Sequence, residues 1–90
     1  MREPLESSIE GDACAYAKKR GWMVMKFVSP GRKGVPDRLF IRDGRHIFIE
    51  FKRGGVEAQE QQEKRHRQMR EHGAEVYVVD NLKDAYAILR

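Results

Sequence analysis

Pro36-Asp37 and, thirteen residues after Asp37, Glu50-Phe51-Lys52 hold the chemistry in this chain. Two carboxylates and an ammonium group meet there if the intervening segment folds back on itself. Asp43-Gly44 lies midway, between Leu39-Phe40-Ile41 and Ile47-Phe48-Ile49. Asp-Gly between two apolar runs is the strongest short hairpin signal. With Asp43 and Gly44 as the two loop residues, Arg42 faces Arg45, Ile41 faces His46 and Leu39 faces Phe48. The same register sets Asp37 opposite Glu50, with side chains roughly 5 Å apart at Cβ. Alternation along the strand puts Lys52 on the face of Glu50. Acids this close repel each other and raise a pKa unless a cation stands between them. A hard divalent metal, which takes oxygen ligands, meets that demand.

The bland alternative is a surface hairpin in which Lys52 bridges the two acids, an ion pair worth little. The strands are too apolar for that. Ile47-Phe48-Ile49 offers apolar side chains to both faces, so the sheet must be covered on both. Aspartate is also depleted in strands, so Asp37 at a strand start, behind Pro36, needs a reason.

The elements that must position these groups are legible in outline. Residues 4–20 read as a helix, with Pro4 in its first turn, a stripe of Leu5, Ile9, Ala13, Tyr16 and Ala17, and Gly21 beyond its end. Trp22 to Val28 is rich in strand formers, and Ser29 to Gly34 is a loop with three breakers and two cations. Asp37–Arg42 and Arg45–Lys52 form the hairpin, which Gly54-Gly55 ends. Residues 57–72 hold strong helix formers, yet only Ala58 and Met69 offer an apolar face. A helix this polar is either highly solvated or docked on something charged. Val76 to Val79 reads as a short strand buried on both faces. Asn81 caps a last helix with the stripe Leu82, Ala85, Tyr86 and Leu89. The order α-β-β-β-α-β-α predicts an α/β fold, a mixed sheet of about four strands between helices, in one domain spanning residues 1–90.

Ninety residues bury only roughly 60–65% of the unfolded surface, so a metal or a partner subunit would help such a domain. With 40% hydrophobic and 36% charged residues the chain is unlike a disordered tail. Its apolar runs are too short to cross a membrane, and the N-terminus lacks a signal-peptide core. The lone Cys14 excludes an internal disulfide and is read as inert in a reducing, intracellular setting. The net charge of +4 is modest. The cations cluster, however, at Lys18-Lys19-Arg20, Arg32-Lys33, Lys52-Arg53 and Lys64-Arg65-His66-Arg67, and two of these clusters flank the acid pair. His46, His66 and His72 have no ligand-like spacing, and His46, on the Glu50 face but two pairs away, is read as structural. Trp22, Tyr16 and Tyr77 are read as core.

Gly34-Val35-Pro36-Asp37-Arg38-Leu39, then Phe48-Ile49-Glu50-Phe51-Lys52, then a helix containing Gln62 and ending at Gly73, then a valine-rich strand, together resemble the VRR-NUC branch of the PD-(D/E)xK nuclease superfamily. The likeness runs from about Glu10 to about Val79, and small members of this kind are typical of phages. It implies a restriction-endonuclease-like core and hydrolysis of DNA phosphodiesters with Mg²⁺ or Mn²⁺. It also implies, in many members, a homodimer acting on branched DNA. Carried onto these residues, Asp37, Glu50 and the Phe51 carbonyl hold the metal. Lys52 orients or deprotonates the water, or stabilises charge in the transition state. Glu10 is the fourth acid, reaching the metal directly or through water, with Glu6 one turn earlier as the alternative. Ser7-x-x-Glu10 also fits a capping box. Gln62 matches the glutamine of the family's second helix.

Ser29, Arg32 and Lys33 in the loop, Lys26 on the first strand, Arg53, and Lys64, Arg65 and Arg67 on the polar helix are candidates for the DNA backbone. Solvated basic surface is their ordinary alternative. No small-molecule cofactor and no membrane are expected, and the expected place is the cytoplasm of a bacterial or phage-infected cell. Two rivals stand beside this reading. One is a catalytically silent DNA-binding module of the same fold. The other is a nuclease preferring nicked, flap or single-stranded DNA.

Overall fold

A computed structural model describes residues 5–90 of the chain. The order is α1 (Glu6–Lys19), β1 (Met23–Lys26), β2 (Arg38–Arg42), β3 (Arg45–Phe51), α2 (Glu60–Glu71), β4 (Glu75–Val79) and α3 (Leu82–Ile88). It reproduces the expected α-β-β-β-α-β-α sequence. The expectation for Pro4 lies outside the described residues.

The hairpin forms as its turn chemistry requires. Asp43 and Gly44 take φ values of 49° and 82°, the left-handed pair of a two-residue turn that Asp-Gly tolerates. The register follows: Arg42 opposes Arg45, Ile41 opposes His46 and Leu39 opposes Phe48. β1 adds antiparallel to β2. The α2 crossover then returns the chain so that β4 lies parallel to β3. The sheet order is β1-β2-β3-β4.

Period-2 alternation divides the sheet's faces. Phe40, Ile47, Ile49, Phe51 and Val79 point to one face and are buried there under Ile9, Ala13 and Ala17 of α1 and Ala85 and Leu89 at α3. Trp22 closes this layer, donating its indole N–H to the Leu89 carbonyl at 3.1 Å. Leu39, Phe48 and Glu50 alternate onto the other face, which α2 partly covers.

Several boundaries and burials differ from the sequence reading, the first strand among them, which is confined to Met23–Lys26 within the expected Trp22–Val28. α1 begins at Glu6 with Leu5 at its N-cap position, so Ser7 is already helical. Leu5 is then 59% exposed instead of heading the buried stripe. α2 begins at Glu60, not at 57, because Gln62 Oε1 accepts the Gln59 N–H at 2.9 Å and ends the preceding extended segment. β4 is an edge strand, and Val78 is 37% exposed where a strand buried on both faces was expected. Its side chain opens into a cavity between α2 and residues 56–58. Asn81 caps α3 as expected, accepting the Asp84 N–H at 2.8 Å.

Candidate active site

Asp37 stands one step beyond the last hairpin pair, Arg38 opposite Ile49. Its N–H donates to the Ile49 carbonyl at 3.1 Å and its carbonyl accepts the Phe27 N–H at 2.9 Å. Its carboxylate Oδ2 accepts the Phe51 N–H at 2.9 Å. The aspartate is thus stitched twice to β3 and once to the segment just after β1, and its side chain is turned toward Glu50-Phe51-Lys52.

Glu50 is buried, only 3% exposed. Gln62 Nε2 donates to its Oε2 at 3.2 Å, and Lys52 Nζ stands 3.6 Å from the same oxygen. Gln62 therefore uses both ends of its amide, one to cap α2 and one to hold the acid. None of the helix's other glutamines, Gln59, Gln61 and Gln68, bonds to Glu50.

Glu6 reaches the same place from the first turn of α1. One carboxylate oxygen each from Glu6, Asp37 and Glu50 lie within 4.8 Å of one another. Glu10, the acid favoured by the resemblance, is instead held by Arg38, whose Nε donates to Glu10 Oε2 at 2.6 Å. Arg38 alternates onto the α1 face with Phe40, so the ion pair forms under the sheet while the acid cluster forms at its end. Glu6, one turn or about 6 Å earlier along the helix axis, overhangs that end.

Burial and mutual repulsion set the electrostatics. Glu50 is pushed up to about 7, chiefly by burial, then by the charge of Asp37, with Glu6 adding and Lys52 opposing. Asp37 is also raised, first by burial and further by Glu10, against the Phe51 N–H and Lys52. Three acids and one lysine leave negative charge in excess. Glu50 Oε1 is buried with no hydrogen-bond partner among the described residues. An all-oxygen, electron-rich donor set with an unsatisfied buried carboxylate oxygen fits a hard divalent cation.

His66 is the residue the sequence reading passed over. It is fully buried and its Nε2 lies 4.0 Å from Glu50 Oε1. Neither ring nitrogen has a hydrogen-bond partner among the described residues. Burial, with the charges of Arg70 and Lys52, lowers its pKa. The available signal was its spacing: Gln62, His66 and Met69 sit at i, i+4 and i+7, one helix face. That face explains the missing apolar anchors of α2, which docks on Glu50 through polar groups.

The basic candidates divide by position. Lys52, Arg53 and Glu6 line a cavity of about 400 Å³ with Leu5, Ser7 and Val56. Ser29, Arg32 and Arg65 line a second one, of about 350 Å³, floored by Phe27, Val35 and Met69. Arg65 also donates to the Lys33 carbonyl at 3.0 Å, tying the loop to α2. Gly34 makes that approach possible, since a Cβ there would stand 2.8 Å from the Gln61 carbonyl oxygen. Lys64 and Arg67 are exposed on α2. Lys26 pairs with Arg38 in register, which turns it to the α1 face, away from Glu50. Cys14 is buried, and burial raises its thiol pKa. No helix among the described residues is long and apolar enough to cross a membrane.

No family model matches the chain. It is 40% identical over 90 residues to "Putative nuclease p44" of Acyrthosiphon pisum secondary endosymbiont phage 1, covering 99% of this chain and 96% of that one. A solved structure described as a VRR_NUC domain superposes with a TM-score of 0.75 at 32% identity, covering 89% of this chain and 92% of its own. A second, a VRR_NUC domain protein, superposes at 0.81 over 97% of this chain and 86% of its own. At 14% identity, this second likeness speaks for the fold alone. Relatedness of that order over nearly the full length of both chains, on one fold, places this chain in the VRR-NUC family of nucleases.

Proposed function

We propose that this protein is a Mg²⁺- or Mn²⁺-dependent DNA endonuclease, selective for branched or junction DNA. The observation that carries the reading is the convergence of Glu6, Asp37 and Glu50 within 4.8 Å beside Lys52. Asp37 and Glu50 would hold the ion, with Glu6 as a third carboxylate and the Phe51 carbonyl as a further oxygen. The chemistry such an ion would supply is a bound water of lowered pKa and compensation of charge on the phosphate. Lys52 orients that water, takes its proton, or stabilises the charge that develops. Asp37 and Glu50 keep their places through the Phe51 N–H and the Gln62 amide. Glu10 acts at one remove, by holding Arg38 next to Asp37.

Lys33, Arg32, Ser29, Arg65 and Lys64 on one side, and Arg53 and Arg67 on the other, take the DNA backbone without reading bases. A homodimer is the working form. Met23 and Met25, 60% and 47% exposed on a sheet face that α2 leaves open, support a partner subunit there. The setting is the cytoplasm of a bacterial or phage-infected cell, in keeping with the phage source of one relative.

The test is a cleavage assay of wild type and Asp37→Ala on labelled duplex, single-stranded, flap and four-way-junction DNA, in Mg²⁺, Mn²⁺ or EDTA. Metal-dependent cutting of the junction that vanishes in the variant is expected. Wild-type binding without cutting on every substrate would leave a silent DNA-binding module. Preferential cutting of flap, nicked or single-stranded DNA would replace junction selectivity with the rival specificity.

A further inference from the structure

A histidine at 0% exposure with both ring nitrogens unpartnered among the described residues is a costly feature. Each buried, unsatisfied polar group carries the full cost of its lost hydration. Its nearest acid is Glu50, whose Oε1 is the other unsatisfied buried side-chain atom among the described residues. The two lie 4.0 Å apart, about 1 Å beyond hydrogen-bond length. Gln62, one turn earlier on the same face of α2, already holds the second oxygen of that carboxylate. Two residues at i and i+4 thus face the two oxygens of one acid.

We propose that His66 is a positioning residue for the nuclease centre: its Nε2–H donates to Glu50 Oε1 and, with Gln62 on Oε2, locks the carboxylate in the orientation that receives the metal. This inference rests on the metal-site reading above. A carboxylate free to rotate about its last torsion spends part of its time with its lone pairs misdirected. Partners on both oxygens remove that freedom. Such outer partners set ligand orientation, and their loss typically weakens metal affinity or activity 10–100-fold. The bond also explains why a helix with so few apolar anchors docks over β3 and β4. The Gly34 backbone, which stands near the ring outside hydrogen-bond geometry, is the competing partner. A ring donating to Gly34 through Nδ1–H would present Nε2 to Glu50 as an acceptor and hold nothing.

Two measurements on the full chain decide between these. Nitrogen-15 NMR of the metal-free protein at pH 8 reads the His66 tautomer, and Nε2–H is expected, whereas Nδ1–H overturns the proposal. Mn²⁺ titration calorimetry without DNA then compares wild type, His66→Phe and His66→Gln. His66→Phe, which fills the same space but leaves Glu50 Oε1 without its donor, is expected to fold, as its melting temperature checks, while binding Mn²⁺ 10–100-fold more weakly. His66→Gln, which keeps a donor, is expected to recover part of that loss. In cleavage, kcat is expected to fall with KM for DNA unchanged. Equal Mn²⁺ affinity in wild type and His66→Phe overturns the role of His66 alone. No Mn²⁺ binding by the wild type overturns the metal-site reading and this inference together.

Discussion

Glu50→Gln is expected to stabilise the protein while disabling it. The carboxyl of Glu50 is pushed from 4.5 to about 7 by burial and by Asp37. That change corresponds to about 3 kcal/mol. A raised folded-state pKa favours the fold below the unfolded value, and that advantage is lost as pH rises through the folded one. Metal-free wild type therefore loses up to about 3 kcal/mol between roughly pH 4 and pH 8, the cost of ionising a buried acid. Glutamine mimics the protonated carboxyl and does not titrate. In EDTA at pH 8, Glu50→Gln should be the more stable by up to about 3 kcal/mol, raising the melting temperature by roughly 4–8 °C per kcal/mol. The gap should close as pH falls toward 4. Mg²⁺ should raise the melting temperature of wild type, by binding only the folded state, and leave the variant unmoved. Urea denaturation and thermal melts across pH, with and without Mg²⁺, measure all of this. A variant no more stable than wild type at pH 8, or a gap that does not vary with pH, would refute the reasoning.

Asp37→Asn keeps an acceptor for the Phe51 N–H, so its metal-free stability should match or exceed wild type while the Mg²⁺-induced melting shift and cleavage disappear. Glu6→Gln and Glu10→Gln should separate two roles. The first weakens metal binding by titration calorimetry with little change in stability. The second leaves metal binding nearly intact and costs about 1 kcal/mol in urea, through loss of the part-buried Arg38 pair. Gly34→Ala places a Cβ 2.8 Å from the Gln61 carbonyl oxygen at a φ of +81°. It should cost about 1–3 kcal/mol and loosen the loop from α2, seen as faster hydrogen exchange around residue 34.

The hairpin was fully legible because its determinants are local. Asp43-Gly44 demands a two-residue left-handed turn, and that turn sets the register from Arg42–Arg45 outward to Asp37 and Glu50. The acid pair, its lysine and the order of elements all follow from residues close in sequence. Which acid of α1 joins them was not legible. Glu6 and Glu10 share a helix face, and choosing between them requires knowing how far α1 slides along the sheet, which is set by Ile9, Ala13 and Ala17 packing on Phe40 and Ile49. The same holds for α2. Composition leaves it either solvated or docked on something charged, Gln62 enters through the family resemblance, and only the docking reveals that His66 faces Glu50 beside it. Edge exposure of Val78 likewise depends on where β4 enters the sheet. Turn geometry and strand alternation are properties of neighbouring residues. Burial of a polar helix face, and the choice between acids one turn apart, are properties of how separate elements pack, and here tertiary structure alone decided them.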